Sequence, residues 1–248
     1  MTLLSGTSSM PGLDGADAVE DRVPGVKHRL ELLARSESHG WLEWDRPGPS
    51  AAFSRRDVSA PGFADAARAM RARGFTPFIR PVGGRLAAYH EGALVLDLLV
   101  RDSDPRSGTM ARFRGLAGGL AVGLRQLGVD ARVGAVPGEY CPGTWSVNAG
   151  GHHKLAGTGQ RLTQGSVLVT AVIVVGDPGP LRDAMTEAYG LLGLDFDPTT
   201  VGSINDDVPG VTLDDVQDTL GRALAEALDL DGPDLDGSRT FRSPWQPR

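Results

Sequence analysis

Cys141 and Lys154 are the two residues whose side chains and surroundings most directly suggest chemistry. Cys141 is the single cysteine of the chain and lies in a Pro-Gly loop just upstream of the strand expected to carry Lys154. A thiolate is the nucleophilic form of cysteine, and a neighbouring ammonium lowers the pKa of a thiol. The alternative is a small buried thiol without reactivity, which is the commoner role of a lone cysteine. In a simple hairpin Cys141 would pair near Gln160, so a bend would have to fold it back towards Lys154.

Lys154 is unusual in composition as well as in position. Only Lys27 and Lys154 are lysines among the 25 basic residues, so surface charge is supplied by arginine. Lysine offers a compact ammonium with an adjustable pKa, which a guanidinium does not. Composition alone leaves a chemical role and a plain strand-edge charge about equally supported. On an extended strand Lys154, Ala156, Thr158 and Gln160 would share one face, with room beside Ala156 for an acyl chain.

A second segment of interest runs from residue 80 to residue 91 and contains the adjacent glycines Gly83 and Gly84. Glycines allow a positive φ and let the backbone approach a ligand closely. Taken alone, the segment is more typical of a simple hairpin between two strands. His90, near its end, could relay a proton or serve a structural role.

Several common kinds of site are absent from the sequence. It contains no Walker-type phosphate loop, no GxGxxG after the first strand and no GxSxG elbow. His152 and His153 would point to opposite faces of a strand, and a single cysteine without His-x₃-His spacing argues against zinc. We therefore predict no metal site.

Charge and hydropathy bear on partners and compartment. The net charge of −6 argues against a general nucleic-acid binder. No apolar stretch approaches about 18 residues, so no membrane partner is expected. The first dozen residues lack the pattern of a signal peptide, and one cysteine cannot form an internal disulfide, so we predict a cytoplasmic protein.

The residue pattern predicts an α+β fold in which a mixed, antiparallel-rich sheet is flanked by helices. Strands arrive mostly as neighbouring pairs, unlike βαβ units. We predict a flexible arm over 1–22, a single domain over 23–228 and an acidic, polar tail over 229–248. The predicted strands are 40–44, 51–54, 75–80, 86–90, 93–100, 131–136, 145–148, 153–160 and 166–175. One predicted helix begins at residue 24, and the other predicted helices span 63–73, 109–127, 181–192 and 212–228.

Over residues 40–189 these motifs and their order resemble the lipoate–protein ligase and octanoyltransferase family, which shares its fold with biotin–protein ligases. The glycine pair with His90 resembles the family's substrate loop. The run from Lys154 to Arg161 resembles its Lys-x-x-Gly-x-x-Gln segment, whose lysine contacts the acyl carbonyl. The resemblance implies a biotin/lipoate protein ligase catalytic-domain fold. It also implies substrate binding by Arg80, Gly83, Gly84, His90, Gly157, Thr158 and Gln160.

The segment from Tyr140 to Gly143 resembles the cysteine-dependent octanoyltransferases, which move octanoyl from the glycine-cleavage H protein to lipoyl domains. This likeness implies a thioester on Cys141, with Lys154 steadying the thiolate and hydrogen-bonding the acyl oxygen. The implied partners are an acyl-carrying donor, either H protein or an acyl carrier, and a lipoyl-domain acceptor. No cofactor is expected for such a transferase.

Two alternatives stay open. An ATP-dependent lipoate–protein ligase would require ATP and Mg, and a non-catalytic acyl- or biotin-binding relative would require neither. The ligases typically carry a third glycine where this chain has Arg85, and an acidic residue in the segment 144–148. Neither feature is present in this sequence, so the transferase is favoured.

Overall fold

The computed structural model describes residues 18–228 and 239–240, and these form two sheets with helices around them. The α+β class and the antiparallel-rich pairing are confirmed. Residues 1–17 of the predicted arm, and most of the predicted tail, lie outside the described residues. The arm was nevertheless predicted too long, because Val19 is fully buried and Glu20–Asp21 form a strand.

The larger sheet has seven strands in the order β11-β2-β6-β10-β9-β8-β7, and every neighbouring pair is antiparallel. The β-branched, apolar strand β10 lies in its middle, between β6 and β9, where both faces are covered. The bounds are β2 Gly40–Asp45, β6 Ala93–Arg101, β7 Ala131–Val133, β8 Val147–Ala149, β9 His153–Thr163, β10 Ser166–Val174 and β11 Arg239–Thr240.

The smaller sheet has four strands in the order β1-β4-β3-β5. Strand β4 pairs in parallel with β1 and with β3, and β5 is antiparallel to β3. The single mixed sheet that the sequence predicted is thus two sheets, with all the parallel pairing in the smaller one. The bounds are β1 Glu20–Asp21, β3 Ser50–Phe53, β4 Thr76–Ile79 and β5 Ala87–Tyr89.

The helices divide between the two sheets. The bounds are α1 Val23–Arg35, α2 Arg55–Val58, α3 Phe63–Ala72, α4 Thr109–Gln126, α5 Gly179–Leu191, α6 Ile204–Asp207 and α7 Leu213–Ala227. Helices α4 and α7 share one apolar core with the larger sheet, and α1 packs on its other face through Leu30 and Leu33. Helices α3 and α5 share a second core with the smaller sheet. A capping box of Thr212 and Asp215 begins α7, at the start of the helix predicted over 212–228.

The loop between β7 and β8 links the two cores. Tyr140 and Cys141, in this loop, pack in the core of the smaller sheet, whereas Val147, which follows, packs in the core of the larger one. The backbone leaves the larger sheet after Val133 and returns to it at Val147, which places Cys141 where the sheets meet. None of the helices within the described ranges combines the length and apolar character needed to cross a membrane.

Candidate active site

The loop between β7 and β8 folds Cys141 back against Lys154. The Lys154 Nζ donates to the carbonyl oxygens of Tyr140 and Cys141, both at 3.0 Å. Within the described residues, Cys141 is the one non-glycine residue with a positive φ, at 42°. A left-handed backbone is costly for a side-chain-bearing residue and persists where surrounding contacts hold it. The fold-back that the sequence left open is therefore present, and it is held under strain.

The thiol of Cys141 is held by two donors from residues 80–85, the segment around Gly83 and Gly84 that we call the glycine loop. Its Sγ accepts from Arg80 Nη2 and from the Arg85 backbone N–H, each at 3.2 Å. Gly84, between them, has φ 107°, and a Cβ there would lie 2.6 Å from Sγ and 2.3 Å from Arg80 Nη2. Only glycine permits both the backbone conformation and the contact. The loop predicted from Gly83 and Gly84 therefore lies at the thiol of Cys141.

These contacts change the acidity of the thiol. Burial, the largest single influence, raises the pKa of Cys141. The charges of Arg80 and Lys154, together with the Arg85 N–H, outweigh burial, so the pKa lies below the ordinary thiol value. A larger thiolate fraction at neutral pH follows from this.

We expect alkylation of Cys141 by iodoacetamide to report this shift. Because only the thiolate reacts, the rate should rise with pH and reach half its plateau below about pH 8.5, the value for an unperturbed cysteine. The pH profile of the rate constant, measured beside that of a free cysteine peptide, checks the prediction. A midpoint at or above that of the peptide would contradict it.

Lys154 is buried with a carboxylate that the sequence did not single out. Its side chain is 1% exposed, and Nζ lies 3.4 Å from Glu139 Oε1. Burial lowers the pKa of Lys154, and the negative charges of Glu139 and Cys141 oppose that effect. Glu139 in turn accepts from Ser146 Oγ at 2.7 Å and from the N–H groups of Gly143 and Val136 at 3.0 and 3.1 Å. The carboxylate thus fixes both the ammonium and the loop carrying Cys141.

Tyr189, on helix α5, is a second residue that the sequence analysis missed. Its hydroxyl accepts from the Cys141 N–H and donates to the Leu86 carbonyl, both at 2.7 Å. Burial raises the pKa of Tyr189 well above its ordinary value, so the phenol keeps the proton that it donates. Tyr189 and Lys154 therefore hold the N–H and the C=O of Cys141 from opposite sides.

Replacement Tyr189→Phe should remove both hydrogen bonds while keeping the ring. It leaves the Cys141 N–H and the Leu86 carbonyl without a partner, which should lower the free energy of unfolding by about 1–3 kcal/mol. It should also slow alkylation of Cys141, because the strained backbone is released. Urea unfolding and alkylation rates measure the two effects. The control is Tyr89→Phe, because Tyr89 is a 7%-exposed tyrosine whose hydroxyl has no hydrogen bond to another described residue; equal effects in both variants would contradict the role.

Strand β9 carries a bulge that changes which residues face Cys141. Val147 of β8 pairs with Ala156, but its neighbour Asn148 pairs with Lys154, so Leu155 is an extra residue on β9. A bulge of this kind breaks the alternation of side chains along a strand. Both Leu155 and Ala156 are buried in the core of the larger sheet.

Beyond the bulge, Gly157 lies on the side of Lys154. A Cβ at Gly157 would be 3.1 Å from Lys154 Cε, and one at Gly159 would be 2.9 Å from Val82 of the glycine loop. The strip of β9 that faces the loop is therefore glycine backbone. The prediction of a common face was wrong for the set Lys154, Ala156, Thr158 and Gln160.

The side chains of Thr158 and Gln160 bind other parts of the protein. Gln160 Oε1 accepts from Arg112 Nε at 3.0 Å, and its Nε2 donates to the Thr109 carbonyl at 2.8 Å. The Thr158 hydroxyl donates to the Trp145 carbonyl at 3.0 Å. Neither side chain hydrogen-bonds to Cys141 or Lys154, so the structure does not bring these two predicted substrate residues to the thiol.

His90 is also occupied elsewhere. Its Nδ1 accepts from the Gly92 N–H at 2.8 Å, and its Nε2 lies 2.7 Å from the Asp177 carbonyl oxygen. A carbonyl can only accept, so Nε2 carries the proton. Both ring nitrogens therefore brace the turn between β5 and β6, and neither is left for a proton relay.

The glycine loop borders a cavity of about 340 Å³. The lining includes Arg80, Gly83 and Gly84, together with Arg161 and the two arginines of helix α2. Arg80 both lines this cavity and contacts the Cys141 thiol, so the cavity and the thiol share one guanidinium. The arginines give the approach a positive potential that contrasts with the net negative charge of the chain.

Comparison with known proteins agrees with this geometry. Residues 64–225 match the lipoyl protein ligase A/B catalytic domain. The chain belongs to this family. A putative lipoate protein ligase of Thermoplasma acidophilum, solved with bound lipoic acid, superimposes with a TM-score of 0.63 at 21% identity, covering 86% of this chain and 84% of that one. This likeness confirms the fold.

Two curated relatives are octanoyl-GcvH:protein N-octanoyltransferases. That of Geobacillus kaustophilus is 25% identical over 199 residues, which are 76% of this chain and 69% of the relative. That of Exiguobacterium sibiricum is 28% identical over 147 residues, which are 58% and 52% of the two chains. The chain thus spans about half to two thirds of the length of these relatives.

Proposed function

We propose that this member of the family is an acyltransferase that carries an octanoyl group through a thioester on Cys141 to the target lysine of a lipoyl-carrier domain. The observation that carries the proposal is the setting of Cys141. Its thiol accepts from Arg80 and from the Arg85 N–H, and its carbonyl accepts from the buried ammonium of Lys154. The names of the curated relatives support the octanoyl group.

The proposed reaction has two halves. The Cys141 thiolate attacks the acyl carbonyl of the donor and forms the thioester, as the bond from the acyl carbon to the donor group breaks and that group takes a proton from water. The neutral amine of the acceptor lysine then attacks the thioester, forming the amide and restoring the thiolate. The glycine strip of Gly157 and Gly159 provides a surface without side chains beside the loop, and Val82 offers an apolar contact for the acyl tail.

The proposed donor is an acyl-bearing H protein or acyl carrier, and the proposed acceptor is a lipoyl domain. The curated relatives name GcvH as the octanoyl carrier that they use. The positive lining of the cavity fits acidic protein surfaces around the modified lysine. We propose a cytoplasmic location, where the lone thiol would stay reduced.

We propose that this transfer uses no cofactor. The ATP-dependent alternative would need groups for the nucleotide and its metal ion. Asn148, in the segment where the ligases carry an acid, donates from Nδ2 to the Gly134 carbonyl and accepts from the Gly151 N–H, each at 2.8 Å. In the described ranges no three His, Cys, Asp or Glu side chains are grouped to hold a metal ion. Asn148 and the rest of the segment 144–148 therefore lack the acidic residue that is typical of the ligases.

The deciding experiment is intact-protein mass spectrometry after mixing the protein with octanoylated H protein or octanoylated acyl carrier. We expect an octanoyl adduct that hydroxylamine removes, as it does a thioester, and that Cys141→Ala lacks. Transfer to an apo lipoyl domain should follow when the adduct is isolated and mixed with it. No adduct, with lipoate- and ATP-dependent modification of the acceptor instead, would replace the proposal with the ligase.

The non-catalytic alternative is distinguished in the same samples. A protein that only binds acyl groups would give neither reaction in wild type or in Lys154→Ala, and that variant would only weaken ligand binding.

A further inference from the structure

Lys154 has no donor left for a substrate. An ammonium has three N–H bonds, and Nζ already has three acceptors, at the Tyr140 carbonyl, the Cys141 carbonyl and the Glu139 carboxylate. The side chain is fully buried, so these contacts are not exchanged with water. The oxyanion that forms in acyl transfer must therefore be stabilised by another group, or one of these buried contacts must break.

Two other donors already converge on the reacting atom. The Arg85 N–H and Arg80 Nη2 each lie 3.2 Å from Cys141 Sγ. A second N–H of Nη2 donates to the Gly83 carbonyl at 2.6 Å, which fixes the guanidinium relative to the loop. The Nε of Arg80 is buried without a hydrogen-bond partner in the described structure. Buried donors are normally paired, so this guanidinium has capacity for a further acceptor.

The reaction itself creates a further acceptor, because the acyl carbonyl oxygen becomes negatively charged during the attack. As Sγ bonds to the acyl carbon, the π electron pair of the carbonyl moves to its oxygen, and the negative charge leaves sulfur for that oxygen. The oxygen is one bond from the carbon that Sγ attacks, so donors that reach the thiolate are placed to reach the oxyanion. Donors preorganised where charge develops are commonly the largest single contribution to catalysis of acyl transfer.

We propose that the Arg80 guanidinium and the Arg85 backbone N–H form the oxyanion hole, and that Lys154 is a positioning residue for Cys141. The proposal rests on the proposed function. In the second half-reaction the acceptor amine bonds to the thioester carbon, and the carbonyl pair again moves to the oxygen. Collapse breaks the bond from Sγ to carbon, returns Sγ to its two donors as thiolate and releases the amine proton to water.

The test separates ionisation of the thiol from stabilisation of the oxyanion. For wild type, Arg80→Gln and Arg80→Lys, the pH profile of iodoacetamide alkylation gives the thiol pKa. Single-turnover acylation is then measured above that pKa in each protein, where every thiol is ionised. Alkylation forms no oxyanion. We therefore expect Arg80→Gln to alkylate at a nearly wild-type rate at that pH but to acylate about 10²–10³ times more slowly, with Arg80→Lys between.

Two further variants make the result specific. Lys154→Gln, as a positioning variant, should lose alkylation and acylation together, because Cys141 itself is displaced. Arg132→Gln removes an arginine that lies exposed and paired with Asp130, and it should change neither rate. Acylation by Arg80→Gln at the wild-type rate, once its thiol is ionised, would overturn the oxyanion role. Absence of the wild-type adduct would instead refute the proposed function.

Discussion

The variant Lys154→Met should unfold more easily than the wild type by about 3–5 kcal/mol, although methionine fills nearly the same space. The reason is the charge left behind. Glu139 is 2% exposed as a residue, and its ammonium partner lies 3.4 Å away in a site without solvent. A buried carboxylate without a cation is costly, and the carbonyl groups of Tyr140 and Cys141 lose a donor as well.

Urea unfolding of four proteins checks this prediction: wild type, Lys154→Met, Glu139→Gln and the double variant. If the two charges stabilise each other, the double variant should be more stable than the sum of the single losses predicts. Acyl transfer should be absent from the double variant as well as from Lys154→Met. In both, the Cys141 carbonyl lacks the Lys154 donor, and without the ammonium the thiol pKa is higher. Strictly additive losses would show that the pair is not coupled.

The chemistry of the site was predictable where it is encoded in neighbouring residues. Cys141 stands in a Pro-Gly loop, and Gly83 and Gly84 mark a turn whose backbone must approach something closely. Lys154 stood out because the chain otherwise relies on arginine. The strand predicted over 166–175 is β10, and its long, β-branched, apolar sequence fits the middle of the sheet because both of its faces are buried there.

The details that decide orientation were not predictable from local patterns. Strict alternation assigns successive side chains of a strand to opposite faces of the sheet. One extra residue, Leu155, reverses that assignment for the residues of β9 beyond it. No rule of composition places such a bulge. Gln160 was predicted to face the acyl group, but its side chain lies beside Arg112. Gly157 and Gly159 instead lie on the face towards Lys154 and the glycine loop.

Residues that act from a distance escaped the sequence analysis for a related reason. Glu139 reads as an ordinary acidic residue in a loop, and only the fold shows that its carboxylate collects four donors. Tyr189 lies 48 positions from Cys141 on a helix of the second core. Its role depends on how α5 packs against the smaller sheet, which is a tertiary fact. The contribution of the Arg85 N–H depends on Gly84 having φ 107°.

Arg112 is the other buried charge on which the fold depends, and Arg112→Met should cost about 3–5 kcal/mol of unfolding free energy. Its guanidinium is 0% exposed and donates to Asp102 at 2.5 Å, to Gln160 at 3.0 Å and to the Pro105 carbonyl. Burial lowers the pKa of Arg112, and Asp102 opposes that shift. Methionine would leave the Asp102 carboxylate, which directly follows β6, buried without its cation.

The chain offers a matched control in Arg132→Met. Arg132 also pairs with an aspartate at 2.5 Å, but both side chains are more than half exposed. Solvent screens such pairs, so its urea midpoint should stay at the wild-type value. Because Arg112 reaches Gln160 on β9, the buried variant should also loosen the strand that carries Lys154. Alkylation of Cys141 should then slow in Arg112→Met and not in Arg132→Met. Equal unfolding curves for the two variants would show that burial of the Arg112 pair has no energetic consequence.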